Sequence, residues 1–151
     1  NAFGTVMGQT RRDFVWGSSS VAANQGIALI NAYIITGNKK YVDYALSNVD
    51  YLLGRNATGY SFLTGIGDKY PMRIHHRPSV ADKIYDPIPG LLSGGPNPGK
   101  QDRVYYEHNE PETAFSDTDG SYASNEIAIN WNAPAVYLFN AIEALQKKIG
   151  Y

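Results

Sequence analysis

Between Ser18 and Gly54 the chain repeats an apolar residue at helical intervals twice over, with almost nothing between the two runs. Val21, Ile27, Ile30 and Ile34 mark the first stripe, and Ser18, Ser19 and Ser20 ahead of it supply capping hydroxyls. Gly37 offers a left-handed stop. After Gly37-Asn38, the residues Tyr41, Val42, Ala45, Leu46, Val49, Leu52 and Leu53 trace a second stripe that Gly54 closes. Two amphipathic helices joined by so short a link must run antiparallel and bury their faces on each other. A third helix is predicted to begin near Asn132, with Pro134 in its first turn and Val136, Phe139, Ile142 and Leu145 or Ile149 on its apolar face. Lys147 and Lys148 suit the C-terminal end of its dipole.

The rest of the chain has a different character. Residues 1–17 show no sustained period, and Trp16 within Phe14-Val-Trp-Gly is either core or a platform for a sugar. Residues 55–125 lack any long periodic segment and are dense in Gly, Pro, Asn and Tyr. A stretch of that length without regular structure is usually a functional surface held by a scaffold. Asn56-Ala-Thr58 matches an N-glycosylation sequon, a three-residue pattern that specifies little. Gly65-Ile-Gly-Asp-Lys69 has neither the glycine spacing nor the Lys-Ser/Thr ending of a phosphate loop.

Charge and composition exclude several function classes. At 151 residues the chain is one domain or part of one, and its net charge of −1 is dispersed, leaving no basic face for nucleic acid or an anionic membrane. No run is apolar enough to span a bilayer. Without cysteine there are no disulfides and no thiolate metal sites. The chain starts at Asn1 with no basic-plus-apolar leader, so it is expected to be a processed or cut piece. Twelve Tyr, five Phe and two Trp stand among 15 Gly and 8 Pro. Aromatic rings set in loops stack on the apolar face of a pyranose while polar groups hold its hydroxyls, which is the make-up of an open carbohydrate cleft.

Chemistry-bearing residues concentrate between Phe115 and Ala133. Glu126 lies between Asn125 and Ile127 and shortly before Trp131, neighbours that disfavour an ionised carboxyl and so favour a general acid. Asp117 and Asp119 lie among Ser, Thr and Gly, a setting that leaves carboxylates ionised. The plainer reading is an acidic turn ahead of a helix. Taken whole, the segment runs aromatic (Phe115), Asp117, aromatic (Tyr122), Glu126, then Ala at the second position and Asn132-Ala after Trp131. It resembles the segment that carries the catalytic acid in family nine glycoside hydrolases, mainly cellulases. A second stretch, Ser61-Phe-Leu63-Thr64-Gly-Ile-Gly67-Asp-Lys69 followed four residues later by Ile74-His75-His76-Arg77, resembles the histidine-containing active-site segment of the same family. Trp16-Gly-Ser, Tyr51-Leu-Leu-Gly54 and Pro89–Asn97 are also similar to it.

The resemblance implies an all-α fold, the C-terminal portion of an (α/α)6 barrel with long active-site loops, spanning 1–151 as part of a single catalytic domain whose N-terminal part is absent. It implies hydrolysis of β-1,4-glucosidic bonds with inversion. Glu126 would be the proton donor. Asp117, nine positions earlier, would support it by hydrogen-bonding sugar or orienting neighbours, and His75 and Arg77 are the matched positions of the histidine motif. The family's base comes from an aspartate motif far upstream that this sequence lacks, so the isolated chain is expected to be inactive and to be found with the remainder of its domain or self-associated. Tyr122 and Trp16 are candidate sugar platforms, and His76 a further sugar contact. A metal reading of His75, His76 and His108 is weaker, because adjacent histidines in extended chain point apart and no partner stands at i, i+4. No cofactor and no metal are called for, and the expected ligand is a β-glucan oligosaccharide or polysaccharide outside the cell. Two rivals remain: an exo-acting β-glucosaminidase of the same family and a non-catalytic carbohydrate-binding module.

Overall fold

The structure, a computed structural model, describes residues 2–150. Three long helices form its frame: α1 (Ser18–Thr36), α2 (Lys40–Leu52) and, after a loop-rich stretch holding the short α3 (Arg77–Ala81) and α4 (Tyr122–Asn125), α5 (Ile129–Ile149). Single 3-10 turns occur at Arg11–Asp13 and Pro111–Thr113. Among the described residues no strand forms, and the loops meet only through isolated bridges.

The first two helices form the antiparallel pair that their linker requires, and α1 also packs along α5. Gly37 ends α1 in the left-handed conformation, its N–H bonding to the Tyr33 carbonyl. The buried face of α1 is rotated from the stripe expected from the sequence. Ala22, Ala23, Gly26, Ile30 and Tyr33 are buried, whereas Ile34 is 65% exposed. Close packing selects the small residues: a Cβ at Gly26 would stand 2.6 Å from a Leu138 methyl of α5. The three serines do not cap α1 either. Gly17 occupies the N-cap, the Ser19 N–H is met by the Gly94 carbonyl at 2.9 Å, and the Ser18 and Ser19 hydroxyls lie buried inside the first turn.

Helix α2 buries the expected Val42, Ala45 and Leu52, while Leu53 falls just past its end. Its buried Asn48 ties three segments together, donating to the Ala22 carbonyl at 2.9 Å and to Gln25 at 3.0 Å and accepting the Met7 N–H at 2.7 Å. Helix α5 begins at Ile129, three residues before the expected start, and runs through Pro134. The carbonyl one turn behind that proline belongs to exposed Asn130, so water can take the place of the missing N–H. Leu138, not the 61% exposed Val136, fills the core from this helix.

Beneath the loops Tyr51, Phe62, Phe115 and Tyr60 form a chain of tilted rings at 5.0–5.8 Å. The loop that follows α2 closes on Asn56, which is 5% exposed. Its amide donates to the carbonyls of Tyr51 at 2.7 Å and Tyr60 at 2.8 Å, and its oxygen accepts from both the amide and the hydroxyl of Thr58. The sequon asparagine is thus a buried turn-former in this fold, with no free amide to offer a glycan.

Candidate active site

Three extended segments converge over the aromatic chain. Residues 126 and 127 follow directly on Asn125, the last residue of α4, with Glu126 as its C-cap in extended geometry. On one side they pair with the 74–76 segment: the His75 N–H donates to Asn125 O at 3.2 Å and the Ile127 N–H to His75 O at 3.4 Å, so His75 and Glu126 stand opposite one another in a parallel bridge. Opposed residues of a bridge send their side chains to the same face. On the other side Gly94 N–H donates to Glu126 O at 3.0 Å, and Ser93 bridges Ile127. Only a residue without a side chain passes here, since a Cβ at Gly95 would meet the Ser19 hydroxyl at 2.4 Å.

Side chains fix the 72–75 segment from outside. Both carboxylate oxygens of Asp117 accept backbone amides, Oδ2 from Met72 and Oδ1 from Arg73, each at 2.8 Å. The fully buried Asn125 donates to Arg73 O at 2.5 Å and to Thr118 O at 3.0 Å, which ties the motif of the acid to the motif of the histidine. The turn that presents Asp117 is built on hydroxyls: Ser121 Oγ donates to Ser116 O at 2.5 Å and accepts the Thr118 N–H, and Ser124 Oγ bonds to Ser116 O at 3.1 Å. Tyr106 closes the underside, its hydroxyl donating to Asp102 at 2.8 Å. Burial, ahead of the Asp102 charge, raises its phenol well above the ordinary range.

A line of rings leads into this corner. Trp16, 40% exposed, packs on Tyr122 at 5.8 Å, and Tyr122 packs on His75 at 5.9 Å. The structure therefore gathers Trp16, Tyr122, His75 and Glu126, four of the residues expected from the sequence. Arg77 lies exposed two residues beyond His75 and lines the same cavity as the histidine. His76 lines that cavity too, and its Nδ1 is 2.9 Å from the Ser79 hydroxyl, which also accepts the Ile88 N–H, so one nitrogen of the ring helps to shape the loop after it. Of the two parts left open for Asp117, hydrogen-bonding sugar and orienting neighbours, its contacts fit the second, since both carboxylate oxygens accept backbone amides. Asp119 is 89% exposed in its side chain and lies 4.0 Å from Arg73. Among the described residues no group of three or more His, Asp and Glu side chains gathers as a metal site. Sequence reasoning missed Asn125 and the hydroxyls of Ser116, Ser121 and Ser124. The one available signal was the crowding of Ser and Asn around the two carboxylates, which reads equally well as a solvated turn.

Residues 2–139 match the family model for Glycosyl hydrolase family 9. Among curated proteins, the chain is 49% identical over 144 residues to the xyloglucan-specific endo-beta-1,4-glucanase BoGH9A of Bacteroides ovatus, covering 95% of this chain and 24% of that protein. It is 36% identical over 146 residues to a cellodextrinase of Butyrivibrio fibrisolvens, 94% of this chain and 26% of the relative. Among solved structures, a Bacteroides ovatus GH9 protein superposes with a TM-score of 0.87 at 45% identity, over 96% of this chain and 25% of its own. AaCel9A in complex with cellobiose-like isofagomine gives 0.85 at 36%, over 97% and 28%. The chain spans about a quarter of the length of the relatives it matches. Its helices make up the portion of an (α/α)6 barrel that was expected.

Proposed function

The chain belongs to glycosyl hydrolase family 9, and from that premise we propose that the protein carrying it hydrolyses β-1,4-glucosidic bonds of a glucan, with Glu126 as the general acid. The observation that carries the reading is the parallel bridge that sets Glu126 opposite His75 at the end of the Trp16–Tyr122 line. A glucan chain lying on those rings would bring a glycosidic oxygen to the carboxyl. Protonation of that oxygen by Glu126 lets the leaving sugar depart as an alcohol while positive charge develops at the anomeric carbon. His75 and Arg77 donate to hydroxyls beside the bond and hold the ring in register.

Inversion requires a second carboxylate on the opposite face of the sugar, roughly 6.5–9.5 Å from the acid, to take a proton from the attacking water. Asp117 is occupied by the Met72 and Arg73 amides. The base is therefore assigned to a part of the catalytic domain outside these 151 residues, which also covers the apolar side chains that the three helices leave exposed. The isolated chain is inactive on this account. A glucan polymer does not cross a membrane unaided, so the location that goes with this reading is secreted, extracellular or periplasmic. The identity of 49% with a xyloglucan-specific relative favours a glucan with side branches as an accepted substrate.

Replacement Glu126→Gln in the complete protein tests the assignment. Loss of a general acid lowers turnover of glucan by ~10²–10⁴-fold. Aryl glycosides, whose leaving groups depart with little protonation, suffer much less. Equal losses on both substrate types in a folded variant would remove Glu126 from the acid role.

A further inference from the structure

Helix α4 is too short to place its own C-cap. Its four residues close only two backbone bonds of the helical kind, Asn125 N–H to Ser121 O at 2.9 Å and Glu126 N–H to Tyr122 O at 3.3 Å, and a lone turn of that length does not hold in water. The N-cap gives no help. Ser121 makes no side-chain cap bond, because its hydroxyl is turned to the Ser116 carbonyl and the Thr118 N–H. The cap arrives from 21 residues upstream, where Asp102 Oδ2 accepts the Ala123 N–H at 2.9 Å. A carboxylate on an amide of the first turn does what a capping side chain would do.

Asp102 is itself held before it reaches the helix. Its Oδ2 also accepts the Tyr106 hydroxyl at 2.8 Å, and its Oδ1 accepts the Val104 N–H at 3.2 Å. The same loop grips α4 at further points: Asn97 donates to the Ala123 carbonyl at 2.8 Å, Tyr106 reaches Ser124 Oγ at 3.2 Å, and the Tyr122 hydroxyl donates to Gln101 O at 3.3 Å. Lys100 and Arg103, on either side of Asp102, stand at φ +43° and +60°, a region that residues with side chains seldom occupy. Strain of this kind persists where the surroundings over-determine it, and it gathers where placement matters. These contacts are internal to the chain. Tyr106 is 4% exposed and Ala123 and Ser124 are fully buried, so no further part of the domain can reach in to replace them.

Resting on the assignment of Glu126 as the acid, we propose that Asp102 is the positioning residue of that acid: by capping α4 it fixes the turn from which Glu126 leaves, and with it the place of the carboxyl beside the glycosidic oxygen. Tyr106 supports it. Neither acts on substrate. Loss of the Asp102 carboxylate frays α4 from its first turn and loosens the bond from Glu126 to Tyr122. Proton delivery then suffers, while the sugar contacts of His75, Arg77 and Trp16, which belong to other segments, persist.

The test uses the complete protein with Asp102→Ala, Asp102→Asn and Tyr106→Phe, each alone and combined with Glu126→Gln, on a β-1,4-glucan oligosaccharide and on aryl glycosides of graded leaving-group acidity. Misplacing a reacting group by about 1 Å lowers rates by roughly 10²-fold. Asp102→Ala is therefore expected to lower kcat on glucan by about 10- to 100-fold with KM near the wild-type value, and to leave aryl glycosides with the most acidic leaving groups nearly unchanged. Asp102→Asn, which keeps an acceptor, and Tyr106→Phe, which keeps the carboxylate, give smaller losses with the same leaving-group dependence. In the Glu126→Gln background Asp102→Ala has no further effect, because a residue that acts through the acid has nothing left to act on. Equal losses on all leaving groups, a full additional loss in the double variant, or a raised KM with kcat kept would each overturn the assignment. If Asp102→Ala does not fold, the same outcomes in Tyr106→Phe decide it. A Glu126→Gln protein that loses glucan and aryl glycoside hydrolysis equally would remove the acid reading and this inference with it, a result told apart because it needs no change at Asp102.

Discussion

Replacing Asp117 by Asn removes one acceptor from a pair of charge-assisted bonds and adds a donor where an acceptor is needed. The Met72 and Arg73 amides are both 2.8 Å from the carboxylate, and Asn can serve only one of them. Met72 is half-buried and Arg73 exposed, so the amide oxygen should turn to Met72 and leave the Arg73 N–H to water. A hydrogen bond to a charged group contributes about 1.5–3 kcal/mol. That cost falls on the 72–75 segment, where its loss raises the locally open population about 10- to 150-fold. What then keeps His75 beside Glu126 is the Asn125 amide and two long bridge bonds of 3.2 and 3.4 Å. Amide exchange at Met72, Arg73 and His75 should accelerate by that factor. Turnover of glucan in the complete protein should fall by an order of magnitude or more, with the global melting temperature moving only slightly. Unchanged exchange together with a loss approaching that of Glu126→Gln would refute the reasoning, because Asp117 would then act on substrate or water directly and not through the backbone.

Ala at His75 or Arg77 should lower kcat/KM on glucan and leave thermal unfolding near the wild-type value, since both side chains are exposed; a melting temperature lowered by several kcal/mol of stability, with specific activity retained, would make them structural. Asn56→Ala removes two donated and two accepted bonds from a buried turn and should cost about 2–4 kcal/mol in denaturant unfolding of the complete protein, and Asn56→Asp, which keeps the acceptors but sets a carboxylate oxygen against the Tyr51 and Tyr60 carbonyls, should cost at least as much. Burial raises the phenols of Tyr51, Tyr60 and Tyr106, so the folded protein keeps protons that the unfolded chain releases above about pH 10. The contribution is whole below that pH and is lost above it, and denaturation midpoints measured across the range should fall as phenolate absorbance rises.

The parts that could be read from the sequence are those whose cause is local. A helix announces itself within a dozen residues, so α1 and α2 and the stop at Gly37 follow from spacing alone. The rotation of α1 does not, because it depends on Leu138 arriving from more than a hundred residues away to fill the place beside Gly26. The early start of α5 was hidden by Pro134, whose cost vanishes once Asn130 faces solvent. Residue type and order also singled out Glu126, His75, Tyr122 and Trp16, which the fold brings to one corner. Which of its two expected tasks Asp117 takes was not readable, since a carboxylate that grips sugar and one that grips two amides have the same neighbours in sequence.

The loop region has no ladder to hold it, and that explains why its polar side chains matter as much as its apolar ones. Among the described residues the 55–127 stretch meets itself through three isolated bridges, and a fourth joins Leu53 to Ser61, each contributing only a bond or two. In a sheet, neighbouring rungs would fix the register of His75 against Glu126. Here that work passes to side chains that bond to backbone: Asp117 to residues 72 and 73, Asn125 to 73 and 118, Asn132 to both the N–H and the carbonyl of Leu92, and Asn56 across its own turn. Each is bidentate or nearly so, which fixes orientation as well as distance. Such clamps are local, so the site is assembled from separately secured pieces. Damage to one should shift His75 against Glu126 without unfolding the helices beneath them, and the separation of activity from stability after a clamp is broken is the physical signature of a site carried by loops on a helical frame.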